Sequence, residues 1–292
     1  MHPNELSELS DFQLLDLRLP DDYEAVHLAA ALNNCVFEVS FIDQLEKTAP
    51  NPSLTTLVYG ANDDSMEAAV AVEKMQQAGY TDVQILAGGF QAARQAGLPI
   101  VTGKPLPDTA QLTDGRHAIN LEESSLEWLG RNLLNKHWGT APIESGHLEF
   151  CDGKLTSGEF VIDLQQMACS DLKNSDLHDI LIDHLHSDDF FDVKNHPKAT
   201  FTLKNSSPLN NSSPGACNLA ITGELTLRGQ THPIEFEAAV GLTPEGQPAA
   251  QASFSIDRTQ WGILYGSGKF FHRLAGHLVN DLLEFQIKIL TH

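Results

Sequence analysis

The 292-residue sequence predicts two domains of different class: an α/β domain on a largely parallel sheet, then an antiparallel β-barrel or sandwich with one flanking helix. Three observations carry this. Short apolar runs alternate with a helical stretch over the first hundred residues. Residues 102–115 are rich in Pro, Gly, Asp and Thr and have no apolar periodicity, which marks a domain boundary. From Ala118 onward, apolar and polar residues alternate with period two.

In the first domain, residues 12–17, 55–59 and 82–86 read as strands. Residues 65–78 read as a helix with Met66, Val70 and Met75 among its apolar positions and Gly79 as its stop. Asp64 and Glu67, three apart, resemble a capping pair. Cys35, within residues 34–37, reads as a strand residue. Pro105 and Pro107 make the 102–116 linker a semi-rigid spacer.

In the second domain, alternating runs surround Trp128, Phe150, Phe160, Leu225, Phe236, Phe254 and Phe285, separated by turn residues such as Asp152-Gly153 and Pro244-Glu-Gly246. About seven to nine strands of this kind suit a barrel or sandwich. One helix interrupts them, with Leu177, Ile180, Leu181, His184 and Leu185 as its apolar stripe. It leads into Phe190-Phe191 and must stop before Pro197, which lacks an amide donor and disfavours helix at His196.

Trp128, Phe150, Phe160, Phe201, Phe236, Phe254 and Phe285 share the inward phase of their strands. Such an interior is either filled by side chains or encloses one ligand. Phe190 and Trp261 join these as candidates for a cavity or its mouth. Asp257-Arg258 reads as a charged pair in a strand, where neighbours face opposite sides. Arg258 is the one expected near the mouth, against a ligand's polar head. Tyr265-Gly-Ser-Gly268 with Phe270-Phe271 reads as a flexible, aromatic-tipped entrance loop.

The net charge of −21 argues against nucleic acid and anionic membrane surfaces as partners. Cys35, Cys151, Cys169 and Cys217 form no CxxC spacing, so free and mostly buried thiols are expected. The histidines, His184-Leu-His186 included, show no HExxH-type spacing and read as a solvated rim, with no metal expected. No Ser-His-Asp, Cys-His, GxSxG or phosphate-binding Gly-Lys-Ser/Thr motif is readable. No window approaches the ~18 apolar residues of a membrane span, so no stable membrane insertion is expected. The first residues have neither a basic nor an apolar signal region, so the expectation is a cytoplasmic protein, or a periplasmic one had a leader been removed. The oligomeric state is not readable.

HLHSDDFFDVKNHPKATF at 184–201, GELTLRG at 223–229 and SIDRTQWG at 255–262 occur in an order that resembles the YceI-like family over residues 117–292. The resemblance implies a lipocalin-like antiparallel barrel holding an isoprenoid lipid or quinone as ligand, with no further cofactor. It tips the choice between a filled and a hollow interior towards a cavity. LLDLR at 14–18, DYEAVH at 22–27, LAGGFQAA at 86–93 and GLP at 97–99 resemble a rhodanese-like domain over residues 5–101. An active member carries cysteine just after a strand, at the start of a loop of backbone amides. The corresponding loop here is Gly60, Ala61, Asn62, Asp63, Asp64 and Ser65, with no thiol at Gly60 and two carboxylates that would repel an anionic donor.

The expectation is therefore a carrier or sequestering protein of isoprenoid lipid, with no catalytic residue. Its first domain, 1–101, would be a non-catalytic interaction or regulatory module with a possible protein partner. Its second domain, 117–292, would be the lipid-binding barrel. Two alternatives stand: an atypical sulfurtransferase or phosphatase-like enzyme at Gly60–Ser65, where loop amides bind an anion, and a pure interaction module with a filled barrel.

Overall fold

The computed structural model describes residues 1–8, 11–106, 112–210, 212–274 and 277–292. The chain divides into two compact units, 1–108 and 109–292.

The first unit runs β1 (Gln13–Asp16), α1 (Pro20–Ala25), β2 (Val26–Leu28), β3 (Leu32–Asn33), α2 (Phe41–Thr48), β4 (Thr56–Tyr59), α3 (Glu67–Gln77), β5 (Val83–Ile85), α4 (Gly89–Gln95) and β6 (Ile100–Thr102). Its main sheet has the order β3-β1-β4-β5 and is parallel throughout. All four residues of β4 are buried, as a strand covered on both faces requires. Strand alternation sorts the core into two layers. Leu15 and Val58 pack with Phe41, Leu45, Ala71 and Met75, while Leu14, Leu57 and Tyr59 pack with Leu86 and Phe90 on the opposite face. The buried Asp16 carboxylate accepts from the Arg18 guanidinium at 2.6 Å and from the Arg18 amide at 3.0 Å, and Arg18 also donates to the Val26 carbonyl at 2.7 Å.

Local details differ from the sequence expectation. Helix α3 begins at Glu67, Met66 precedes it, and no side chain caps it. Asp64 is not its cap, because Met66 occupies the N-cap position, and the Glu67 carboxylate is engaged in the loop before the helix. The helix buries the small residues Ala68 and Ala71 with Met75, leaving Met66 and Val70 exposed. Cys35 is buried, but in the loop after β3 rather than in a strand.

Strand β6 pairs antiparallel with β2, and the Gly103 amide donates to the Ala25 carbonyl, so the start of the expected 102–116 linker is tied to the first unit. Its end, 115–116, lies in a strand of the second unit. Residues 107–111 of that linker lie outside the described residues.

The second unit contains β7 (Gly115–Ala118), β8 (Ser125–Arg131), β9 (Lys136–Thr140), β10 (Ile143–Cys151), β11 (Lys154–Asp163), β12 (Ala168–Cys169), α5 (Leu177–His186), β13 (Lys198–Pro208), β14 (Leu219–Leu227), β15 (Gln230–Leu242), β16 (Pro248–Asp257) and β17 (Leu282–Leu290). All strands join one antiparallel sheet in the order β12-β9-β8-β17-β16-β15-β14-β13-β11-β10-β7. The sheet curls on itself because β9, near one end, runs through Ala141-Pro142 into β10, near the other. Pro142 has no amide to pair, which suits the bend, and its carbonyl accepts from the Asp163 amide across the junction.

Helix α5 is rotated from the expected stripe. Leu185 is buried and Leu181 and Ile182 pack on the core, while Leu177 and Ile180 are exposed. A turn of 3-10 helix, Arg258–Trp261, follows β16, so Asp257 ends the strand and Arg258 does not lie within it. Among the described residues no helix is long and apolar enough to cross a membrane.

Asp16→Ala would leave the Arg18 guanidinium buried without its counter-charge. It should destabilise the first unit by about 3–5 kcal/mol, seen as a lower midpoint in urea unfolding; an unchanged midpoint would show the pair to be dispensable.

Candidate functional site

The inner face of the curled sheet lines a cavity of about 130 Å³. It lies between two packed ends. One is the cluster with Ile119, Leu148, Phe150 and Ile289, of which Leu148 and Ile289 also reach the cavity wall; the other is the cluster with Leu185, Phe190, Trp261 and Ile263. Between them runs a collar of rings from neighbouring strands. Phe160 and Phe201 are 6.4 Å apart, Phe201 and Phe236 5.7 Å, Phe236 and Phe254 stack at 4.4 Å, and Phe254 and Phe285 lie 5.6 Å apart. Trp128 is paired directly opposite Phe285. The five phenyl rings are only partly buried although their strand phase points them inward, so their free surface faces the cavity.

The collar crosses β14 at Gly223. A Cβ there would collide with the Phe201 ring, so only glycine lets that ring lie over β14 and reach Phe236 on β15. Every lining residue except Gln251 is apolar, and the Trp128 indole N–H donates to the Thr140 carbonyl at 3.3 Å.

Six of the ten residues expected at a ligand site line this cavity: Trp128, Phe160, Phe201, Phe236, Phe254 and Phe285. The other four do not. Phe150 is 2% exposed in one packed end, with His117 edge-on at 5.7 Å. Phe190 packs at the other end against Phe191, His184 and Tyr265, and its neighbour Phe191 reaches the cavity instead. Trp261 is 1% exposed and its indole N–H donates to the Leu225 carbonyl at 3.1 Å.

Arg258, expected at a mouth, is fully buried. Its guanidinium donates to the carbonyls of Ile263 at 2.6 Å, Asn280 at 3.0 Å and Val279 at 3.2 Å, and lies 3.6 Å from the Asp281 carboxylate. Its donors are thus taken up by the protein itself. Burial pushes its pKa down, against the opposing charges of Asp281 and Asp257.

The expected entrance loop is pinned at its start. Tyr265 packs edge-on to His184 at 4.4 Å, and the Val279 amide donates to the Gly266 carbonyl; Phe270 and Phe271 are exposed. The histidines do not form a uniform solvated rim. His147 is buried, and the His186 Nε2 is buried without a partner. Among the cysteines, Cys35 and Cys169 are buried, Cys151 is exposed and all four are free.

Met167 and Phe191 line the cavity and Gly223 shapes it, although none of the three was among the expected ligand-site residues. Gly223 carried a readable signal, an isolated glycine within a strand pattern, which marks a close approach. Met167 lies in a connection that shows no periodicity.

The loop after β4 forms the second candidate site. Glu67 folds back over it, its Oε2 accepting from the Ala61 amide at 2.9 Å and the Ser65 hydroxyl at 2.5 Å. A Cβ at Gly60 would collide with that same oxygen. The Asp64 amide donates to Asn62 Oδ1 at 2.9 Å, and Asp63 Oδ1 accepts from the Gly88 amide at 2.6 Å. The space beside Gly60 is thus filled by a carboxylate of the chain itself, and loop amides already have partners.

Gly223→Val would push on the Phe201 ring from below. We expect a loss of about 1–3 kcal/mol in denaturant unfolding with displacement of the collar; wild-type stability would show that the ring moves aside without cost.

Residues 2–96 match the rhodanese-like domain model. Among solved structures, BcnA of Burkholderia cenocepacia is 19% identical with a TM-score of 0.48, covering 60% of this chain and 99% of its own. A polyisoprenoid binding domain from Saccharophagus degradans is 13% identical with a TM-score of 0.43, covering 61% of this chain and 98% of its own. The rhodanese-like domain of the Alr3790 protein from Anabaena sp. is 28% identical with a TM-score of 0.29, covering 33% of this chain and 93% of its own. Curated proteins give no match. Residues 117–290, more than half the chain, match the YceI-like domain model, and the chain belongs to the YceI-like family.

Proposed function

We propose that the second unit binds an isoprenoid lipid or quinone within the barrel and carries or sequesters it, and that the first unit is a non-catalytic interaction or regulatory module. The observation that carries the lipid reading is the cavity wall: apolar on every strand, with Gln251 the sole lining residue bearing an amide, hydroxyl or charged group. A polyprenyl chain offers bulk and few hydrogen bonds, so it leaves few hydrogen bonds unmade on entering such a space. Burial contributes roughly 25 cal/mol per Å² of apolar area, which makes a charged anchor unnecessary. This agrees with Arg258 being engaged elsewhere.

The cavity is narrower than the roughly 300–1,000 Å³ of common small-molecule sites. Apolar holes of about 150 Å³ accept a single benzene ring. A cavity of about 130 Å³ therefore holds a short apolar segment, and a longer chain requires the collar rings to part. The half-buried phenyl groups are the side chains free to do this.

Native mass spectrometry of the purified protein, then organic extraction and lipid mass analysis, tests the reading. A stoichiometric prenyl or quinone mass is expected; an apo mass with no uptake of added prenyl lipid would overturn it in favour of an interaction module. Phe201→Ala should cost less than the ~3–5 kcal/mol of a fully packed phenylalanine and should alter lipid retention. A full-sized loss with unchanged retention would point to a filled core.

The non-catalytic reading of the first unit is supported by Glu67. Its carboxylate lies where a nucleophile on residue 60 would project, and its charge repels thiosulfate-like or phosphate-like anions. In a thiosulfate:cyanide assay we expect no turnover from the wild-type chain and none from Gly60→Cys alone, with activity emerging at the earliest when Glu67→Ala is added. Turnover by the wild-type chain would sink this reading.

A further inference from the structure

We propose that His137, Cys169 and Asp171 form a binding site for a thiophilic divalent cation of the zinc class, at the β9–β12 edge of the barrel. One ligand atom from each residue lies within 4.8 Å of the other two. The His137 Nδ1 is 2.8 Å from Asp171 Oδ2, and the Cys169 Sγ is 3.1 Å from Asp171 Oδ1. A tetrahedral ion with ~2.0–2.3 Å bonds spans donors roughly 3.3–3.8 Å apart, so the three groups are close enough to share one ion once the His137–Asp171 hydrogen bond opens slightly to admit it. Thiolate and imidazole together select zinc-like ions over magnesium or calcium.

The backbone brings these groups together. Strand β12 pairs antiparallel with β9, Cys169 opposite Gly139, and the Ser170 amide donates to the Trp138 carbonyl at 2.7 Å. A Cβ at Gly139 would collide with the Ala168 backbone, so glycine permits the approach that places Cys169 beside His137. The Trp138 amide donates to Asp171 Oδ1 at 3.0 Å and orients the carboxylate, leaving Oδ2 towards His137. That amide is the supporting contact expected around a metal ligand. On binding, the ion replaces the thiol proton, which leaves to solvent, and bonds to Sγ, Nδ1 and Oδ2. The side chain of Cys169 lies inside and that of His137 is 40% exposed, so water supplies the fourth position.

The other sulfur-containing cluster, Asp114, Cys151 and Asp152, is exposed, has no imidazole, and both Asp114 oxygens accept from the backbone amides of Asp152 and Gly153. An ion at His137–Cys169–Asp171 would clamp β12 to β9, close to Met167 in the cavity wall. It would stiffen the sheet edge without touching the lipid.

The full-length protein, stripped with chelator and reduced, is titrated with Co²⁺ as spectroscopic probe, and Zn²⁺ is then added in competition. One tightly bound Co²⁺ per chain, a thiolate-to-cobalt charge-transfer band, and loss of that band on adding Zn²⁺ are expected. Cys169→Ser and His137→Gln should lose the band; Cys151→Ser should keep it. His137→Gln changes a partly exposed side chain, so it remains informative if Cys169→Ser fails to fold. Absence of the band in wild type, its loss in Cys151→Ser with retention in Cys169→Ser, or its retention in His137→Gln would overturn the assignment and leave the trio as a hydrogen-bonded edge contact.

Discussion

The guanidinium of Arg258 is the constraint on which the closed end of the barrel depends. It is fully buried, and three backbone carbonyls from two separate segments converge on it. A charge so placed is costly unless every donor is satisfied, so its geometry dictates where 263 and 279–281 run. The Phe190 ring lies 5.5 Å from the same guanidinium. Arg228 reinforces this by donating to the carbonyls of Asp188, Phe190 and Gly262. Two arginines thus stitch the segment after α5 to the turn after β16, which is what sets Phe191 towards the cavity and Trp261 behind the wall.

Around that anchor the molecule separates two tasks within one apolar interior. Towards the ends side chains are nearly inaccessible, as at Trp261, Ile263 and Ile119. The middle is held apart by rings that touch one another side to side and leave surface free within. Aromatic pairs at 4.4–6.4 Å gain from mutual contact even with one face unoccupied. The hollow is therefore maintained by neighbours around the circumference and by a missing side chain at Gly223.

The architecture was legible in the sequence because period-two alternation and Pro/Gly punctuation report directly on which face is buried. The same alternation placed Trp128, Phe160, Phe201, Phe236, Phe254 and Phe285 on the inner wall. It did not tell depth along the barrel axis, and so Phe150 was indistinguishable from the others although it belongs to a packed end. Phe190 and Trp261 lie outside the regular strands, where no periodicity says which way a ring points. Arg258 misled because a charge in an apolar segment reads as exposed; its partners are backbone carbonyls, which leave no trace in side-chain composition. The Glu67–Gly60 relation was hidden in the same way, since Glu67 read as half of a capping pair.

The strand order also bears on aggregation. A sheet this long, wrapped around an incompletely filled interior, would be hazardous if it ended in long unpaired strands, whose free amides and carbonyls template association between molecules. Here the two edges are β12, with two residues, and β7, with four, while the longest strands, β13 and β15, lie well inside the order. Among the described residues, the second unit thus surrounds a cavity with a sheet whose two edge strands are its shorter ones, which leaves little edge for another copy to pair with.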